Sequence, residues 1–429
     1  MRTCLIHLLC LTCLTISGCS TSISTPQTTP SQPSLLLAST STTTPVQTIT
    51  LTTTATPLPS LTPWPTSTTP TLTPLPSEPH FIIGDTPFRF VGAFVPGWFW
   101  GHETWSEALC EDLIGSAKAS GINVLHLMLP SFEQPLGVYL ESELVRLDFF
   151  MDTAARHGVY VMPAIVHGFG IAIQPDQAYY NPFGIEGLIT DERLARAFKI
   201  HLETLISRRN TVNGRIYRDD PTIFGWIVIE EPLANPIYYP VHPPSVTLPQ
   251  VKAWFKEMAF YIKSLDANHP VGVMFTGAVS QLDSENWYDV FDTPSLDFLE
   301  FEDYAKPVED PANYQYHVDV STIKLLSLGK PVITMLAPPD TLPSGPTCTD
   351  IEWQATTISA RSSLNLDASV AGIVIHLWMS DLIPIPPFDI CRAKTDSMTP
   401  IRNVLLDLAN QLNIPGYPNP PLDFVRISP

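Results

Sequence analysis

From about residue 80 onward, short runs of apolar and β-branched residues recur. They are separated by longer stretches whose apolar positions return every three or four residues. The short runs, read as strands, are 88–95, 124–129, 160–166, 223–229, 271–275, 298–302, 332–336 and 372–377. Helical spacing is strongest over 141–157, 191–208, 251–265 and 400–412. Strands that alternate with helices predict a parallel sheet. Eight such units favour a closed (β/α)8 TIM barrel of the α/β class over an open doubly wound sheet. No GxGxxG follows the first strand, so no dinucleotide cofactor is expected. In a barrel of this kind the functional groups gather where the strands end.

The first 79 residues read differently. Met1 and Arg2 precede an apolar run over 4–16, long enough for the core of a signal peptide and too short to span a bilayer. It ends in Ile16-Ser17-Gly18-Cys19, which resembles the bacterial lipobox, and this implies cleavage after residue 18 and lipid on Cys19. Residues 19–79 are rich in Thr, Ser and Pro, carry almost no charge and have no apolar period that could hold a core. They are expected to form a disordered tether that holds a domain at 80–429 away from the membrane. The expected location is extracytoplasmic, anchored by lipid to a bacterial membrane or cell surface.

Charge and cysteine usage narrow the partners. The chain has 42 acidic against 23 basic residues, a net charge of −19, and no Lys/Arg-rich run, which argues against nucleic acid. No feature predicts oligomerisation, so a monomer is expected. Beyond Cys19 the cysteines are Cys110, Cys348 and Cys391, with no CxxC pair to suggest a thiolate metal site. Cys348 and Cys391 both follow late strands, at the same end of a barrel, and are the candidate disulfide in an oxidising compartment.

The most informative stretch is Tyr217-Arg218-Asp219-Asp220-Pro221-Thr222-Ile223-Phe224-Gly225-Trp226-Ile227-Val228-Ile229-Glu230-Glu231-Pro232. It resembles the fourth-strand signature of clan A glycoside hydrolases, above all the family 5 β-mannanases and cellulases. Phe90-Val91-Gly92-Ala93 is similar to the family's first strand, Gly121-Ile122-Asn123-Val124 to its second and Lys330-Pro331-Val332-Ile333 to its seventh. The resemblance implies hydrolysis of a β-linked polysaccharide or oligosaccharide. Retention of configuration requires two carboxyl groups about 5 Å apart, one to protonate the leaving oxygen and one to attack the anomeric carbon. Glu231 matches the family's acid/base glutamate, and Glu230 stands where the family has asparagine. A second carboxylate beside Glu231 would raise its pKa by like-charge repulsion and keep it protonated.

Several positions depart from the family pattern. The seventh-strand nucleophile position holds Leu336, which cannot attack an anomeric carbon. His126 stands for a second-strand Arg, Glu302 for a sixth-strand His and His376 for an eighth-strand Trp, while Tyr304 matches a site tyrosine. Alternation along Glu300, Glu302 and Tyr304 turns all three toward the barrel interior or mouth. Two roles are open for Glu302: a relocated nucleophile or inverting base, or a structural ion pair with His126 or His376. His126, His167 and His376 with Glu230, Glu231 and Glu302 lack a compact HxH or HExxH spacing, and no metal is expected.

Aromatic residues supply the binding side. Trp98, Trp100 and Trp378 follow strand ends and are candidates to stack on sugar rings, together with Phe99 and Phe169, whereas Trp226 inside its strand is expected in the core. Two functions therefore compete: a glycosidase using Glu231, with Glu302 and Glu230 as further catalytic candidates, and a carbohydrate-binding barrel that has lost its chemistry. A metal-dependent hydrolase is a third. In each case His126, His167, Tyr304 and His376 are expected to face the ligand.

Overall fold

The computed structural model describes residues 80–97, 105–130, 132–133, 137–167, 184–230, 246–276, 290–303, 325–336, 351–376, 378, 399–412 and 422–428. All eight expected barrel strands are present: β3 (Phe90–Val95), β4 (Val124–Met128), β5 (Tyr160–Ala164), β6 (Trp226–Glu230), β7 (Val271–Thr276), β8 (Phe298–Asp303), β9 (Val332–Leu336) and β10 (Gly372–His376). Each pairs in parallel with its neighbours, and β10 pairs with both β3 and β9, which closes the barrel. The four expected helices are α2 (Glu141–His157), α4 (Glu192–Ile206), α5 (Leu248–Leu265) and α7 (Thr399–Gln411). The periodicity did not single out α1 (Glu107–Ala119), α3 (Gly184–Thr190) or α6 (Ile351–Asp367).

Local chemistry explains where elements start and stop. Ser106 caps α1 by accepting the amide of Leu109, and Asp191 caps α4 by accepting that of Arg193, each satisfying a donor without a partner in the first turn. Gly158 ends α2 in the left-handed region at φ 65°, where a side chain would be strained. The DPTI segment before β6 is a structural corner: the Asp220 carboxylate accepts the amide of Thr222, and the Asp220 carbonyl faces His269 Nε2 at 3.1 Å.

Strand parity divides the core into two layers. Leu125, Leu127, Val273, Leu299, Phe301 and Ile373 pack outward against the helices. Phe90, Val124, Met162, Ile227, Met274, Phe298, Ile333, Met335 and Val374 pack together inside the barrel. The lower interior is aromatic. Phe81, from a hairpin formed by β1 (Phe81–Ile83) and β2 (Thr86–Phe88), sits edge-on against Phe224 at 4.7 Å and Phe298 at 5.7 Å. The hairpin pairs with β11 (Val425–Ile427), so both ends of the domain meet at this floor. Gly372 leaves room for it, since a Cβ there would overlap the Phe90 ring.

Candidate active site

The same parity carries charged side chains into the upper interior. On β8, Phe298 lies in the inner apolar cluster, and Glu300 and Glu302 follow at the alternate positions, both buried. On β4, His126 follows Val124 inward. On β6 the alternation breaks: Ile227 pairs with Gly272 and Glu230 with Met274, three steps against two. This extra residue is a bulge, and it turns Glu230 inward although Val228, of the same parity, packs outward. The bulge has no signal in the residue pattern. His167, just past β5, bridges the backbone of Glu230, and His376 ends β10.

These groups form one connected cluster. His126 Nε2 lies 2.7 Å from Glu230 Oε2, a hydrogen bond, and its Nδ1 lies 2.8 Å from Glu300 Oε2. The second contact is close but off the hydrogen-bonding line, so it acts as an ion pair and not as a directed bond. All three side chains are at most 1% exposed. His167 Nε2 stands 3.5 Å from Glu230 Oε1, and His376 Nε2 stands 3.8 Å from Glu302 Oε1. The Phe94 ring is stacked on His376 at 5.0 Å and edge-on to His126 at 5.2 Å, which holds both imidazoles in place.

Burial and charge act against each other here. Burial disfavours the His126 cation, but Glu300 and Glu230 outweigh it and push its pKa up to about 10. Burial raises the Glu300 carboxyl above its usual range, and Glu230 adds to the rise while His126 opposes it. Burial lowers His376 to about 4, against the attraction of Glu230 and with the help of His126 and His167. The two imidazoles are thus pushed in opposite directions, His126 toward its cation and His376 toward the neutral ring.

The alternatives left open for Glu302 are partly sorted by this geometry. His126 pairs with Glu230 and Glu300, whereas Glu302 has His376 as its histidine neighbour. Leu336 is 3% exposed and packs in the outer layer, while Met335 points inward. Trp378 corrects an expectation. It is 2% exposed, packs in the outer layer and donates its indole N–H to the Leu113 carbonyl, so its ring has no free face for a sugar. Trp226 is a core residue as expected, with its N–H on Asp266. Glu231, Tyr304, Trp98 and Trp100, along with Cys19, Cys348 and Cys391, lie outside the described residues. Cys110 is buried and free. Among the described residues no group of three or more His, Cys, Asp or Glu side chains is arranged to hold a metal ion, and no helix is long and apolar enough to cross a membrane.

Carboxylates and histidines thus converge toward the C-terminal strand ends of a closed parallel (β/α)8 barrel, the face where such barrels carry their functional groups. Residues 183–306, from α3 to just past β8, match the family model described as GH family 5 beta-mannosidase-like. The matched stretch contains Glu230, Glu231, Glu300, Glu302 and Tyr304, and over it the chain is similar to that family.

Similar sequences include mannan endo-1,4-beta-mannosidase 4 of Oryza sativa subsp. japonica, 34% identical over 170 residues, covering 36% of this chain and 35% of the relative. Mannan endo-1,4-beta-mannosidase 1 of Arabidopsis thaliana is 30% identical over 181 residues, covering 38% and 39%. The chain thus spans little more than a third of the length of these curated relatives. Among solved structures, the endo-beta-1,4-mannanase from Thermotoga petrophila superposes with a TM-score of 0.61 at 20% identity, over 76% of this chain and 77% of that one. The endo-1,4-beta-mannanase from Rhizomucor miehei superposes with a TM-score of 0.59 at 19% identity, over 78% and 99%. At these identities the superpositions speak for the fold.

Proposed function

We propose that this chain is a surface-anchored glycoside hydrolase that acts on a β-linked polysaccharide or oligosaccharide, with β-mannan the first substrate to test. The observation that carries the reading is the mannosidase-like match over 183–306, because it covers the strands that bring Glu230, Glu300 and Glu302 into one interior. In this reading Glu231, next to inward-turned Glu230, protonates the leaving oxygen. Glu302 supplies the second carboxylate that Leu336 does not, either attacking the sugar or activating a water. Trp98, Trp100, Tyr304, His167 and His376 contact the ligand, whereas His126, expected to do so, is fully buried between Glu230 and Glu300 and serves the cluster instead. The lipid on Cys19, the 19–79 tether and the Cys348–Cys391 disulfide belong to the same proposal and suit a protein working among polymers outside the cell.

A second reading, a barrel that binds carbohydrate without cutting it, draws on the outward packing of Leu336 and on the engagement of Glu230 with His126. Activity of the purified chain on β-mannans, β-glucans and aryl glycosides, beside Glu231→Gln and Glu302→Gln, separates the two. The expected result is hydrolysis that falls by about 10²–10⁴ in each variant. Oligosaccharide binding with no turnover on any substrate establishes the second reading instead.

A further inference from the structure

Glu300 is the member of the cluster for which the proposed chemistry has no use. It lies one pleat deeper than Glu302, is fully buried, and has no aligned hydrogen-bond donor among the described residues. A buried carboxylate in such a place is costly unless a cation offsets it. The cation here is His126, which has Glu300 on its Nδ1 side and Glu230 on its Nε2 side. We propose that Glu300 is a positioning residue: it makes His126 a standing cation, and His126 in turn holds the Glu230 carboxyl group aimed into the barrel.

The geometry constrains the alternatives. With only one carboxylate beside it, a buried imidazole can be neutral and donate from one nitrogen while the other nitrogen accepts. With a carboxylate on each nitrogen, the neutral tautomers each leave one lone pair facing an anion, so the doubly protonated ring is the form that suits both sides. Among the described residues, the titratable groups around the ring are Glu230 on β6, Glu300 on β8, His167 after β5 and His376 on β10, with Phe94 of β3 against its face. Of these, the two carboxylates touch the ring nitrogens. The consequence for the ligand is chemical. Glu230 Oε2 is held by His126, and its buried Oε1, with His167 Nε2 at 3.5 Å, has no aligned hydrogen-bond donor among the described residues, which leaves it an acceptor on the side away from His126.

The inference deepens the carbohydrate reading, but its test is independent of turnover. The full chain labelled with ¹⁵N-histidine is titrated by NMR, and the His126 signals are those missing from the spectrum of His126→Gln. The expected result is an imidazolium at His126 up to at least pH 8. In Glu300→Gln its titration is expected at least tenfold lower in proton affinity, with most of that change recovered in Glu300→Asp. A neutral His126 ring at pH 7, or the same titration in wild type and Glu300→Gln, overturns the proposal. If Glu300→Gln does not fold, the wild-type titration and Glu300→Asp decide the matter. A chain that hydrolyses nothing still reports on His126, so failure of the activity proposal and failure of this one are distinguishable.

Discussion

Along β8 the barrel interior changes character within five residues. Phe298 lies in a cluster of aromatic rings, whereas Glu300 and Glu302 lie among imidazoles. The same strands line both halves with the same alternation of side chains, so backbone geometry is not the difference. In the lower half, Phe81, Phe88, Phe90, Phe224 and Phe298 fill the space and remove apolar surface from water, and their stabilisation is non-directional and independent of pH. In the upper half, ionisable groups are buried at a desolvation cost and are tolerated because each carboxylate stands beside an imidazole. The floor stabilises the fold, and the charged layer above it is held at some cost to stability.

The strongest way to break that comparison is Phe298→Ala, which empties the centre of the floor. A loss of about 3–5 kcal/mol is expected in chemical denaturation. The His126 titration should be unchanged in the variant, since among the described residues the Phe298 ring packs in the apolar cluster against Phe81 and Phe224. A loss below about 1 kcal/mol would mean that the aromatic cluster is not what stabilises the barrel.

Next in size is His126→Gln, expected to cost about 3 kcal/mol near neutral pH, because Glu230 and Glu300 are left facing each other without a cation. Its dependence on pH sharpens the contrast with the floor. The folded pKa of His126 is raised, so the stability it contributes is complete below its ordinary value of 6.5 and is lost as pH rises toward 10. His376 is shifted the other way, so its contribution is present above 6.5 and is lost as pH falls toward 4. Melting temperatures of the wild type should therefore fall on both sides of neutrality. The gap between wild type and His126→Gln should narrow at alkaline pH, and also at acid pH where the carboxylates take up protons. A gap that is flat across this range would show that His126 acts only by packing.

The smallest expected effect is that of Trp378→Phe. Losing the bond to the Leu113 carbonyl should cost about 1 kcal/mol, with no change in oligosaccharide affinity. A loss of sugar binding without loss of stability would return Trp378 to the ligand face.

Much of this was legible in the residues alone. Eight apolar runs at repeat spacing fixed the number of strands, and period-two alternation turned Glu300 and Glu302 inward, because both patterns depend only on local geometry. The tandem Glu230-Glu231 and the surrounding motif located the candidate chemistry on the fourth barrel strand. Tertiary structure decided the rest. The bulge that turns Glu230 inward arises from register against β7, which no property of the 226–230 segment encodes. The partners of His126 come from strands 104 and 174 residues further along the chain, so choosing Glu230 and Glu300 over Glu302 required the barrel to close. Trp378 follows a strand end, as a stacking residue would, yet packs against α1, because a one-residue change of phase at the rim decides between the mouth and the helical layer. Sequence determined the elements and the stock of ionisable groups, and long-range pairing determined which of them face one another, since burial and electrostatics depend on neighbours in space.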